Sequence, residues 1–343
     1  MDFGLFLLLQ SPSARPSQEV FDRGTEITCL ADELGFYSVW LAEHHFSTYG
    51  YLSRPLMYAL HLANRTQRIR VGTAVVVVPL HNPLVVAEEV ATVDLLSGGR
   101  FDLGLGRGYQ HYEFERFGQD LGESRARWEE SVDIMLRAFS GEPFSYCGEF
   151  FQIPETCVLP TPSQQPHPPI WVVGQSPESV EATVNRGFNL VTGGFGVSLD
   201  RLKEFRAHYD ALLASAAPGH ERRVSTQRPV YVTYDEADAR AAVEQARWNM
   251  RVTLSLRKNT GRVERGRAIP IPFEGEPTTD EMLESHLVIG TPETCVERLK
   301  TLRDVMGIDH FAANVWFGDM PQDKVLKSMR LFAEEVMPAF AAG

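Results

Sequence analysis

The sequence predicts a (β/α)₈ barrel of the TIM type, with insertions at the C-terminal face of its strands. Three observations predict it. Apolar strand candidates alternate with amphipathic helices from end to end, the strands are near-continuously apolar, and no low-complexity linker interrupts the series. Strands apolar on both faces need cover on both faces, and a parallel sheet closed inside a ring of helices supplies it. With 343 residues, the whole chain 1–343 reads as one such domain.

The elements follow in order. Phe3–Leu9 is the first strand candidate and Glu19–Leu34 its helix. Tyr37–Leu41 and Pro55–Asn64 form the second pair. Ile69–Val78 is a β-branched third strand, and its helix is framed by Asn82 as N-cap, Pro83 at the first helical position and Gly98 as a stop. Val86, Val90, Val93 and Ser97 give that helix a buried face at helical spacing. Phe101–Gly106 and Arg125–Phe139 are the fourth pair, and Ile170–Val173 is the fifth strand. Later strand candidates are Leu190–Thr192, Val230–Thr233 and Phe311–Trp316, with helices near Leu202–Leu213, Glu236–Trp248, Pro292–Met306 and Lys324–Met337.

Three stretches exceed this pattern. Residues 109–124 and 141–168 lengthen the top of the barrel, the second with a hairpin (Phe144–Tyr146, Phe150–Ile153). Residues 255–286 are rich in Gly, Arg and Pro, and long loops in compact domains are usually functional or mobile. Here Arg257, Lys258, Arg262, Arg265 and Arg267 face only Glu264, so the segment reads as a basic, mobile lid over the mouth.

Composition removes other classes. Lys and Arg number 33 against 45 Asp and Glu, a net charge of −12 that repels nucleic acid. No apolar run approaches the roughly 20 residues that span a bilayer, and MDFGLFLLLQ reads as a buried strand and not as a signal peptide. Cys29, Cys147, Cys157 and Cys295 are scattered without metal-ligand spacing, which suits a reducing cytoplasm.

Barrels of this type keep their active sites at the C-terminal strand ends, and chemistry-bearing residues collect there. Trp40-Leu-Ala-Glu43-His44-His45-Phe46 ends the second strand. Adjacent histidines on an extended segment point to opposite sides, so one faces the mouth while the other packs or bonds nearby groups. No third ligand accompanies them, which disfavours a metal. In the fourth strand, glycines 104, 106 and 108 flank Arg107, whose guanidinium could grip a phosphate or close a tight turn on a carboxylate. Gly104-Leu-Gly106-Arg-Gly108 is only G-x-G-x-G with no helix directly after it, so a dinucleotide fold is disfavoured. After the fifth strand Ser176 reads as an N-cap and Pro177 as the first helical residue, a geometry that also aims amides and the hydroxyls of Ser176 and Ser179 at an anion.

WLAEHHF, VGTAVVVVPLHNP, LLSGGRFDLGLGRGYQHYEFERFG and VIGTPETC, in this order from Met1 to about Cys295, resemble the bacterial-luciferase-like flavin monooxygenases. The resemblance implies a barrel that binds reduced FMN at its C-terminal mouth and reacts with O₂ through a flavin hydroperoxide to oxygenate a small carbonyl-type substrate. It implies His44 as the catalytic residue. It also implies a cofactor site of Arg107, Ser176 and Ser179 at the phosphate, the Gln175 amide, Gly106 and Tyr109, with a non-prolyl cis peptide at Ala74–Val75 under the ring. No second nucleotide site is visible, so a separate NAD(P)H:flavin reductase would supply the cofactor. The resemblance further implies a homodimer through Pro55–Asn64 and Leu84–Leu96. An F420-dependent oxidoreductase of the same superfamily and a non-catalytic flavoprotein subunit are the alternatives. Two departures are notable: the light-emitting enzymes have a cysteine where this chain has Gly106, which would open space beside the ring, and an aspartate where it has Glu113.

Overall fold

The computed structural model describes residues 1–193, 197–215 and 222–341. Eight parallel strands close on themselves in sequence order: β1 (Asp2–Leu7), β2 (Ser38–Leu41), β3 (Arg70–Thr73), β4 (Phe101–Gly106), β5 (Ile170–Val173), β6 (Asn189–Val191), β7 (Val224–Val232) and β8 (His310–Asn314). Closure is double: β6 pairs with the start of β7, and β8 lies between β7 and β1. Helices such as Ser17–Leu34, Pro83–Leu96, Pro177–Asn185 and Pro292–Met306 form the outer ring. The second of these begins and ends as its sequence dictates, with Asn82 Oδ1 accepting from Leu84 N at 2.9 Å for Pro83–Leu96. A continuous apolar core fills the space between strands and helices.

Local differences from the sequence reading have physical reasons. The apolar run 69–78 is not one strand: β3 ends at Thr73, the Ala74–Val75 peptide is cis, and Val76–Val77 then resumes pairing with β4. β7 starts at Val224, earlier than the apolar Val230–Thr233 suggests, because Arg228 and Pro229 interrupt the pattern. Arg228 is buried all the same, its guanidinium bonded to the carbonyls of Gly193 and Gln227. The helix expected over Glu236–Trp248 continues to Arg257, so residues 255–257 are helical and not loop. Val288–Gly290, a strand the sequence reading missed, pairs with the top of β7.

Inside the barrel the side chains form layers. At the base, His310 bonds Ser38 Oγ and Ser225 Oγ at 2.8 Å each, and Arg70 Nε donates to Asp102 Oδ2 at 2.7 Å. Above them Trp40, Trp171 and Ala312 pack with Phe6, Ala74 and Val191. The mouth lies beyond, at the C-terminal strand ends.

Candidate active site

His44 and His45 leave β2 in opposite directions, as extended backbone requires. His44 Nδ1 lies 3.1 Å from Glu113 Oε1, and the same oxygen accepts the His45 amide at 2.8 Å and the Tyr112 hydroxyl at 3.2 Å. A carboxylate only accepts, so it fixes the proton on Nδ1 and leaves Nε2 as the free nitrogen. The His44 ring packs 4.6 Å from Tyr49, whose hydroxyl reaches Thr253 Oγ1 at 3.0 Å. Gly50 allows this turn to close, since a Cβ there would stand 2.8 Å from His44 Cβ.

His45 serves a second, buried carboxylate. Glu43 Oε1 receives His45 Nε2 at 2.9 Å and His81 Nε2 at 2.7 Å, while Oε2 accepts the Val77 amide at 2.9 Å. Burial pushes the Glu43 carboxyl up, but the hydrogen bonds from His45, His81 and Val77 outweigh it and bring it to about 2. Glu43 therefore ties the His44 segment to the chain just after the cis peptide. Among the described residues no group of three His, Cys, Asp or Glu side chains is arranged to hold a metal ion.

On the neighbouring strand tops, Arg107 is exposed and makes no hydrogen bond or ion pair with any described residue. Ser176 caps Pro177–Asn185 through a box in which Ser176 Oγ accepts from Ser179 N and Ser179 Oγ accepts from Ser176 N. The two hydroxyls thus face each other at 3.3 Å and are not both aimed outward, a correction to the sequence reading. The anion character survives nonetheless. The fully exposed Glu178 carboxylate folds back onto this helix start, drawn below the usual range by its own amide and the Ser176 hydroxyl, with Arg125 nearby. A carboxylate is the kind of charge a helix start favours. Arg125, at the start of Ser124–Phe139, was read from sequence only as a helix residue.

Between these two features lies an accessible floor. Val173 at the end of β5 is 44% exposed, although apolar, and Tyr109 is 36% exposed. Ala74 and Val75 are half-buried. Contrary to the sequence expectation, Gly106 does not open space: an added Cβ would collide with Val75 Cγ2 and lie 3.1 Å from Val75 Cβ. The Val75 side chain already fills that place.

Part of the 255–286 segment crosses this mouth as a hairpin, Arg262–Glu264 with Arg267–Ile269. Thr48 anchors it by donating its amide to Gly266 O at 2.7 Å and accepting from Ala268 N at 3.0 Å. Val263 and Ala268 pack over Leu8, Ala42 and Tyr49. Arg257 Nη2, at the helix end before the hairpin, reaches Gln175 Oε1 at 3.1 Å.

The geometry is that of a barrel with a histidine–carboxylate dyad, an exposed arginine and a capped helix start around one mouth. The chain matches the luciferase-like monooxygenase family over residues 1–310, and it belongs to that family. It is similar to the oxygenase component of the flavin-dependent trigonelline monooxygenase of Acinetobacter baylyi, at 29% identity over 99% of this chain and 96% of that protein. It is 27% identical to an alkanal monooxygenase alpha chain of Photorhabdus luminescens over 98% of this chain and 96% of that one. Among solved structures, the monooxygenase RslO1 of Streptomyces bottropensis superposes with a TM-score of 0.86 at 27% identity, covering 99% of this chain and all (100%) of that one.

Proposed function

We propose that this chain is the oxygenase of a two-component system, binding reduced FMN from a separate NAD(P)H:flavin reductase and using O₂ to oxygenate a small carbonyl-type substrate. The observation that carries the reading is that Arg107, without a partner among the described residues, follows β4 at the strand top next to the start of Pro177–Asn185 after β5. Arg107, Arg125 and the Ser176–Ser179 turn would hold the cofactor phosphate once the exposed Glu178 swings away. Ala74, Val75, Gly106, Val173, Gln175 and Tyr109 would border the ring.

The bound reduced cofactor supplies the electrons and the oxygen-activating centre. The chain supplies position, dryness and a proton. His44 Nε2 gives or takes that proton at the mouth, and Glu113 holds the tautomer and stabilises the charged ring. Tyr49 and the 262–269 hairpin exclude water. Residues 255–286 act as a lid within a single 1–343 domain, so ligand should protect this segment from proteolysis. Met57, on the helix Pro55–Ala63, and Val85 and Leu96, on Pro83–Leu96, are exposed apolar residues, which supports a homodimer, and light scattering reads it directly. The unbridged cysteines agree with a cytoplasmic location, and no described helix is long and apolar enough to cross a membrane.

The deciding experiment titrates wild-type and Arg107→Ala protein with FMN and with riboflavin, which lacks the phosphate. The substitution should weaken FMN by about 1.5–3 kcal/mol, the scale of a hydrogen bond to a charged group, and leave riboflavin unchanged. An unaltered FMN affinity, or equal losses for both ligands, removes the phosphate site. Tighter binding of F420 than of FMN by the wild type would instead assign deazaflavin chemistry.

A further inference from the structure

The inner wall formed by β7 and β8 carries two polar groups that the protein leaves unsatisfied. Asn314 is only 4% exposed, yet its Oδ1 has no hydrogen-bond partner among the described residues, and neither does Gln227 Oε1. Both side chains face the barrel interior. Gln227 is in register with Ala312, which packs with the interior Trp40 and Trp171, and Asn314 is two residues further along the same strand, hence on the same face. Buried polar groups are almost always hydrogen-bonded, and two exceptions on adjacent strands, running from the tryptophan layer up to the mouth, ask for a ligand.

We propose that Gln227 and Asn314 receive the pyrimidinedione end of the flavin ring, the C=O, N–H, C=O edge that FMN shares with deazaflavins. The inference rests on the flavin reading above and fixes which way the ring lies. The ring system has one hydrocarbon end and one imide end, and the arm bearing the phosphate leaves from between them. With that arm anchored at the tops of β4 and β5, the two ends face opposite walls. On the β3 side the wall is Ala74, Val75 and Val77, all apolar. On the β7–β8 side it is the two carboxamides. Matching polar to polar puts the imide there. A carboxamide suits it, since its NH₂ donates to a ring carbonyl and its oxygen accepts the ring N–H.

The test measures anaerobic binding of reduced FMN and of reduced N3-methyl-FMN, whose methyl replaces the ring N–H, to wild type, Gln227→Met and Asn314→Leu. Wild type should bind the methylated analogue about tenfold more weakly, the order expected for one lost buried hydrogen bond. Both variants should lose about tenfold for FMN on the same scale and discriminate less between the two flavins. Their melting temperatures should be equal to wild type or higher, because an unpaired polar group is replaced by an apolar one of similar size. Equal affinity of wild type for both flavins overturns the inference. So does discrimination that survives in both variants, which would leave the carboxamides to the substrate. Lowered melting temperatures in both variants give them a structural role and overturn it too. A wild type that binds neither flavin overturns the flavin reading and this inference together, whereas the other outcomes leave that reading standing.

Discussion

The two ends of the barrel interior are both polar, but only one is satisfied. At the base His310, Ser38, Ser225, Arg70 and Asp102 close their hydrogen bonds on one another, and Trp40 Nε1 adds a bond to Ser38 Oγ at 2.9 Å. Toward the mouth, among the described residues, Arg107 has no partner and the Gln227 and Asn314 oxygens are unmatched, while apolar Val173 faces solvent. Strand alternation makes both ends alike, so the difference lies in saturation. A saturated polar layer holds the strands together, and an unsaturated one waits for a ligand. Substitutions at the base should therefore cost stability, and those at the mouth should cost binding or turnover.

The largest break should come at the mouth. His44→Ala should keep the fold and FMN affinity but lower oxygenation by roughly 10²–10⁴-fold, the scale of a lost acid–base group. Product formation with a reductase and a panel of aldehydes and ketones reads this. A more damaging His45→Ala would show that the Glu43 side of the strand carries the chemistry instead.

The base should break the other way. Asp102→Ala removes the carboxylate from Arg70, which is partly exposed and keeps the carbonyls of Gly99 and Phe101, and should destabilise by about 1.5–3 kcal/mol, the scale of a hydrogen bond to a charged group. Urea unfolding measures it, and FMN affinity of the folded fraction should be unchanged. A stable variant with weakened FMN binding would abolish the distinction between the two ends.

Acid sharpens the same contrast. Burial, with the nearby Arg223, pushes His310 from 6.5 down to about 3. Below pH 6.5 the unfolded chain takes up a proton that the native imidazole refuses, so stability falls as pH drops from 6.5 toward 3. Glu43, at about 2 in the fold against 4.5 unfolded, adds its own loss only below pH 4.5. Between pH 6.5 and 4.5 the His310→Gln variant should thus show a flatter dependence of its urea midpoint than wild type. Parallel curves would mean that His310 is protonated in the fold.

Most of the fold was legible because apolar strands and capped helices are local patterns, and Pro83, Asn82 and Ser176 act where they stand. The errors fell where local pattern and environment part: Arg228 and Pro229 disguise a central strand, and Val288–Gly290 is too short to signal itself. Much of the site was legible for the same reason, as His44 and Arg107 sit in recognisable strand ends. Their partners were not. Glu113 and His81 reach the site from neighbouring strand tops and Thr253 from across the barrel, with Tyr49 and Thr253 separated by 204 positions. The unmatched oxygens of Gln227 and Asn314 are visible only once their neighbours are in place.

The mildest test concerns the one place where sequence suggested a vacancy and the structure shows a filled one. A side chain at Gly106 would meet Val75 Cγ2, so Gly106→Cys should strain the β3–β4 contact and cost about 1–3 kcal/mol, the usual range for overpacking. Val75→Ala alone removes half-buried methyl groups and should also destabilise, by about 1 kcal/mol, the low end for truncating an apolar side chain. The double variant should be more stable than the sum of the two losses predicts, because each change supplies what the other lacks. A coupling of about 1 kcal/mol in urea unfolding is the expected result, within the range for residues in direct contact. Strict additivity would mean that the two positions do not share one volume, and that the space beside Gly106 is open to the cofactor after all.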